Sequence, residues 1–121
     1  MDNDTGGWQA LSVFLPSVYS DLDEDTGGGC VEIVAAFLPS ARARCEAIVA
    51  AIAAGDAPEL KRQAHALKGS SRVLGLERLA ALCERLEVAA AEGHGLAVWR
   101  QPVEAEVAAA IAALENHLGQ G

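Results

Sequence analysis

A chain of 121 residues is sized for one domain with a real but small hydrophobic core. Hydrophobic residues make up 51% of it and aromatics only 4%; Ala, Leu and Val carry the apolar content, which favours closely packed helices over a sheet rich in β-branched and aromatic side chains. A formal net charge of −8 disfavours generic binding to nucleic acid or to an anionic membrane surface.

No apolar run approaches the roughly 18 residues of a membrane span. The acidic start Met1-Asp2-Asn3-Asp4 has no secretory n-region. Cys30, Cys45 and Cys83 are an odd set at wide spacing. They read as reduced small hydrophobes of a cytosolic protein.

In chain order, the first ten or so residues are expected to be disordered. A first helical segment covers Leu11 to about Leu22, with Pro16 as a kink or a late start. Asp21 to Gly29, rich in charge and glycine, reads as a loop. From about Cys30 to Ala54, Val34, Phe37/Leu38, Ala41, Cys45, Ile48 and Ile52 recur at three and four residues, the helix period. Pro39 predicts a bend or local break there. Gly55 ends this helix. Asp56 caps the next, with Glu59 as its capping-box partner and Pro58 in the permissive first turn.

The third helix turns Leu60, Ala64, Leu67, Ser71 and Leu74 inward, and Gly75 punctuates it. The fourth carries Leu79, Leu82/Cys83, Leu86 and Ala90 on its inner face. Gly93-His94-Gly95 forms a turn. The last helix, which Pro102 starts or kinks, buries Val103, Val107, Ile111, Leu114 and Leu118. Trp8 and Trp99 read as packing anchors at the bundle ends. Val13 and Val18 suit either packing or a docking surface. Five helical segments with short connections imply a single all-α domain, an antiparallel bundle over residues 1–121.

Beside the inner stripe of the third helix runs a second one: Lys61, His65, Lys68, Arg72. Residues 57–74 hold four cations against Glu59, a balance of +3 in a chain of −8. Lys68 and Gly69 lie three and four residues after His65, beside it on the same face. A glycine inside a helix costs about 1 kcal/mol relative to alanine, so in an alanine-rich chain Gly69 calls for a reason. Flanking cations disfavour an imidazolium, which keeps His65 neutral and nucleophilic near pH 7. The same cations suit a phosphoryl group of about −2 charge, and Gly69 clears the approach to the ring. With no Ser, Asp or Glu within a helical turn on that face, His65 reads as a passive acceptor that borrows its catalytic groups from a partner.

Residues 64–87, from Ala-His-Ala-Leu-Lys-Gly-Ser-Ser through Gly75 to Leu82-Cys83-Glu84-Arg85-Leu86-Glu87, resemble the signature of histidine-containing phosphotransfer (HPt) domains. The pattern is His, then Leu-Lys-Gly-Ser-Ser, a Gly four residues later, and Leu…Cys…Leu-Glu on the following helix. Weaker resemblance takes in Asp21-Leu22 and Glu32 to Leu38, so that it spans roughly residues 11–91; the last helix fits by position only. The resemblance implies a four-helix bundle with an additional N-terminal helix. It implies phosphorylation on Nε2 of His65, with Lys68 near the phosphoryl group. It also implies that response-regulator receiver domains, or a hybrid histidine kinase, dock over the face around His65. Lys61 and Arg72 would face the phosphate and the partner, and the receiver would supply the phospho-aspartate and the Mg²⁺. Some relatives carry an amide or a base near the end of the fourth helix; Glu87 and Ala91 stand there, and no role is carried over to them.

The remaining histidines add little. His94, between glycines, reads as a solvated turn residue, and His117 sits near a helix C-terminus, where an imidazolium complements the dipole. Neither has metal-ligand spacing to a cysteine or to His65. The expectation is therefore a cytoplasmic, monomeric phosphoryl carrier with no cofactor or metal of its own. With no Walker pattern or Gly-rich nucleotide loop, no kinase activity is expected either. It would take phosphoryl from one receiver aspartate and pass it to another. Two alternatives keep the fold: the substrate domain of a chemotaxis-like kinase, and a helical adaptor in which His65 is incidental.

Overall fold

The structure, a computed structural model, describes residues 7–119. Its described residues form five α-helices and two short 3-10 turns: α1 (Pro16–Asp25), α2 (Cys30–Ala54), α3 (Ala57–Val73), α4 (Glu77–Glu92) and α5 (Arg100–Gly119), with 3-10 turns at Trp8–Ala10 and Leu96–Trp99. Helix α3 packs on α2 and α4, and α5 closes the bundle against the same two helices, while α1 lies across α2 and α3. This is the antiparallel four-helix bundle with an added N-terminal helix. Among the described residues no helix is long and apolar enough to cross a membrane.

The inner stripes are where the helical period puts them. Leu60, Ala64, Leu67, Ser71 and Leu74 of the α3 segment are buried against Leu79, Leu82, Cys83, Leu86 and Ala90 of α4 and Val103, Val107, Ile111 and Leu114 of α5; Leu118 is half-buried against this core. Trp8 and Trp99 are buried at 8% and 6% exposure, which makes both of them anchors of the core.

Four local expectations need correction. Helix α1 starts at Pro16 and runs on to Asp25, through residues expected to loop. Proline at the first helical position is preorganised for this start. The acidic run Asp21 to Asp25 is the last part of α1, and from there Asp23 Oδ1 accepts from Cys30 N at 3.1 Å and caps α2. The true connection is residues 26–29, where Gly27 and Gly28 take positive φ of 66° and 90°.

Of the bend or break expected at Pro39, the break is corrected: α2 is continuous from Cys30 to Ala54. Pro39 and Ala35, whose carbonyl loses its partner to the proline, both lie on the exposed side, where water can satisfy that carbonyl. At α3, Asp56 Oδ1 accepts from Glu59 N at 3.2 Å, but the reciprocal half of the capping box is missing: the Glu59 carboxylate pairs with Arg62 and accepts from Gln63 Nε2 at 2.9 Å. Finally, of the first ten residues, 7–10 belong to the fold through the buried Trp8 turn; residues 1–6 lie outside the described residues.

Residues 11–15 are pinned along the α3–α4 turn. Leu15 N donates to Gly75 O at 2.9 Å and Arg78 N to Ser12 O at 3.0 Å, while Ser12 N donates to Glu77 Oε2 at 3.2 Å. Gly75 makes this approach feasible. Its φ is +79°, and a Cβ there would stand 2.8 Å from Leu15 O and 3.0 Å from Val18 Cβ. Val18, half-buried, lies beside this turn. Gly75→Ala should destabilise the fold by about 2 kcal/mol, from the left-handed backbone and the displaced segment, lowering the melting temperature by roughly 10 °C. An unchanged melting temperature would show that the segment yields freely.

Candidate functional site

The chain's chemistry gathers where α3 faces α4. His65 projects from α3 with 72% of its side chain exposed, and its Nδ1 lies 2.8 Å from Glu87 Oε2 on α4. Lys68, one turn along α3, forms an ion pair through Nζ with the other oxygen, Glu87 Oε1. Lys68 and Glu87 are 16% and 14% exposed, so their pairing is largely sheltered from solvent. Gly69 is exposed on the same face, and a Cβ there would meet nothing within 4 Å.

Burial on its own would raise the Glu87 carboxyl. The hydrogen bonds from Lys68 and His65, with the charges behind them, more than offset that and hold it below the usual carboxylate range. Glu87 is then ionised at neutral pH and can only accept. The proton between it and His65 therefore belongs to Nδ1, and Nε2, across the ring, has no hydrogen-bond partner among the described residues. In the neutral ring this is the tautomer whose exposed nitrogen carries a lone pair. Below the site lies Cys83, fully buried; burial pushes its thiol up to about 12, which leaves it an uncharged core residue.

Two sequence-based expectations are corrected. His65 does have a carboxylate beside it. Helix-local spacing finds only groups within a turn, whereas Glu87 is 22 residues away. The signal was the hairpin itself: positions 65 and 87 lie at equal distances from Leu76 in the α3–α4 turn, so antiparallel packing brings them level. The basic stripe is also less cationic than its sequence. Lys68 is paired with Glu87, Arg72 with Glu84 at 3.2 Å and Arg62 with Glu59. Lys61 is exposed and has no ion pair among the described residues.

The other histidines do not join the site. His94 is exposed in the turn after α4. His117 is half-buried, edge-on to Phe14 and Tyr19 with ring centroids 5.1 and 4.7 Å away. No group of three or more His, Cys, Asp or Glu side chains suited to a metal ion occurs among the described residues.

A helical bundle that presents on α3 an exposed imidazole with its inner nitrogen tied and its outer nitrogen open has the architecture of a histidine phosphocarrier. The model of the Hpt domain family matches residues 32–117, and the chain belongs to that family. Among solved structures it is similar to the crystal structure of histidine-containing phosphotransfer protein B (HptB) from Pseudomonas aeruginosa PAO1. The TM-score is 0.83 at 25% identity, over 92% of this chain and 98% of that one. No curated protein matches the chain by sequence.

Proposed function

We propose that this chain is a phosphorelay intermediate in which Nε2 of His65 takes a phosphoryl group from the aspartate of one receiver domain and gives it to that of another. The observation that carries this reading is the pairing of Nδ1 with an ionised Glu87, which directs the nucleophilic lone pair of an exposed ring outward. Gly69 contributes open space: nothing packs where its side chain would be, so the helix bears the glycine's propensity cost with no packing return, and the return is access. Lys68 lies next to the acceptor and Lys61 and Arg72 along the rim, where cations can face phosphoryl oxygens.

The receiver brings the Mg²⁺ and the acyl phosphate; the chain itself supplies the nucleophile, its orientation and its charge surroundings. On this reading it works as a cytoplasmic monomer, without a resident cofactor and without kinase activity of its own. Incubation with a receiver carrying labelled phosphate on its aspartate tests it. The carrier takes label directly; label arriving only with a kinase and ATP identifies a kinase-substrate domain, and no label at all identifies an adaptor.

Lys68→Ala should slow transfer by roughly tenfold, the scale of one charge-assisted contact, and leave receiver binding largely intact. Single-turnover transfer at several ionic strengths measures this. A wild-type rate with unchanged salt dependence would reduce Lys68 to a structural partner of Glu87.

A further inference from the structure

We infer that the receiver serving His65 also seats on the N-terminal strap, residues 7–15, with Leu11 of the strap and Val88 of α4 as the apolar anchors of its docking surface. The inference rests on the reading of His65 as the acceptor from a receiver.

The strap packs on α4 beside the acceptor. Two ion pairs, Lys68–Glu87 and Arg72–Glu84, join α3 to α4 and lead from His65 toward the α3–α4 turn. Next to the second pair stands Leu11, 36% exposed, between two hollows. One, of about 350 Å³, is edged by Arg72 and Glu84 and reaches Gly75. The other, of about 300 Å³, runs past Glu84 to Trp8 and Val88. The strap is held on either side of Leu11: by the buried Trp8, and by hydrogen bonds of Ser12 and Leu15 to the α3–α4 turn. Leu11 itself is left as a raised apolar point with a hollow on each flank.

Size brings this surface under the receiver. A stable interface covers about 800 Å² on each partner, a disc of roughly 16 Å radius. Arg72 lies two helical turns after His65, about 10.5 Å along the axis. Val88 directly follows Glu87, whose carboxylate meets the ring. A footprint centred on His65 therefore reaches both. The charges it meets there are already matched, since Arg72 is paired with Glu84 and Glu77 accepts from Ser12 N. What remains to be covered is apolar: Leu11 and Val88, at 36% and 40% exposure, with the hollows beside them. Interfaces draw most of their affinity from a few desolvated anchors of this kind, and little from exposed ion pairs. Lys61, exposed one turn before His65, lies in the opposite direction along α3. The surface thus has a charged end and an apolar end, which sets the direction in which a receiver lies across the bundle. The partner that fits places apolar side chains in the hollows beside Leu11.

The test uses the full chain and a receiver domain carrying labelled phosphate. Transfer is measured against receiver concentration for wild type, Leu11→Asp, Val88→Asp and the double variant. The control is Ala108→Asp, exposed on α5, which makes no contact with α3 among the described residues. Leu11→Asp and Val88→Asp should each raise the half-saturating receiver concentration by about tenfold, the scale of a lost interface anchor. The maximal rate should not change, the pattern of lost binding without lost chemistry. Phosphorylation of His65 by potassium phosphoramidate, a donor too small to touch the strap, should proceed alike in all of them. An unmoved half-saturation in the double variant overturns the inference. So does an equal rise in Ala108→Asp, or a matching loss with phosphoramidate, which would place the effect at His65 itself. If the variants do not fold, hydrogen exchange on the wild type decides: residues 8–15 and 81–88 should gain protection when the receiver binds, and no gain is fatal. Protection of these segments on concentrating the chain alone assigns the surface to a second copy and is equally fatal. A wild type that accepts phosphoryl from no receiver overturns the reading of His65 and this inference with it. Transfer from a receiver with an unmoved double variant overturns only the role of the strap.

Discussion

His65→Gln should take no phosphoryl group from a phosphorylated receiver while keeping the wild-type fold. The loss should be complete, because the other two histidines are removed from the site: His94 lies in an exposed turn and His117 is packed against Phe14 and Tyr19. Stability should hold within about 0.5 kcal/mol, as for other exposed positions away from the core. The ring of His65 is 72% exposed, and Glu87 keeps its ion pair with Lys68 after the substitution. Acid-labile, base-stable label remaining on His65→Gln would refute the assignment; thermal melting on the same sample shows whether the fold survived.

Substitutions at Gly69 should separate stability from function with opposite signs. Gly69→Ala should stabilise α3 by up to ~1 kcal/mol, since alanine is the better helix former and its Cβ would meet no atom within 4 Å. Gly69→Gln should also keep the fold. Its longer side chain would stand over the exposed edge of His65 one turn away and obstruct an incoming receiver, cutting both docking and transfer by more than tenfold, roughly 1.4 kcal/mol or more. Melting temperature and transfer rate on the two variants decide the matter. If Gly69→Ala unfolds the chain, the glycine serves close packing; if Gly69→Gln transfers at the wild-type rate, the open space has no role in access.

The two glycines of this region contrast in what the sequence could tell about them. Gly69, inside a helical pattern, was legible as an oddity because its propensity cost is local. Gly75 was legible only as punctuation. Its steric role depends on Leu15 and Val18, which come from a segment about sixty residues earlier and reach it only in the folded chain. The same division explains the first helix. Its apolar residues suggested a start at Leu11, but the backbone of residues 11–15 is engaged by the α3–α4 turn, a tertiary competitor that local propensity cannot register.

What the sequence determined by itself was the set of interactions with a short reach along the chain. The period of apolar residues placed the inner stripes of α2 to α5, and glycine and Asp56 placed the helix ends between α2 and α3. The spacing His65, Lys68, Gly69 placed one histidine among cations on a solvent edge. The tertiary structure alone decided how those charges are partnered. It set Glu87 against Nδ1 and Lys68 against Glu87, changing an apparently cationic patch into a mostly neutralised one with an oriented ring. The physical reason is that hydrogen bonds and ion pairs act over a few ångströms. Groups 22 residues apart reach that range only once the hydrophobic faces of α3 and α4 have closed on each other.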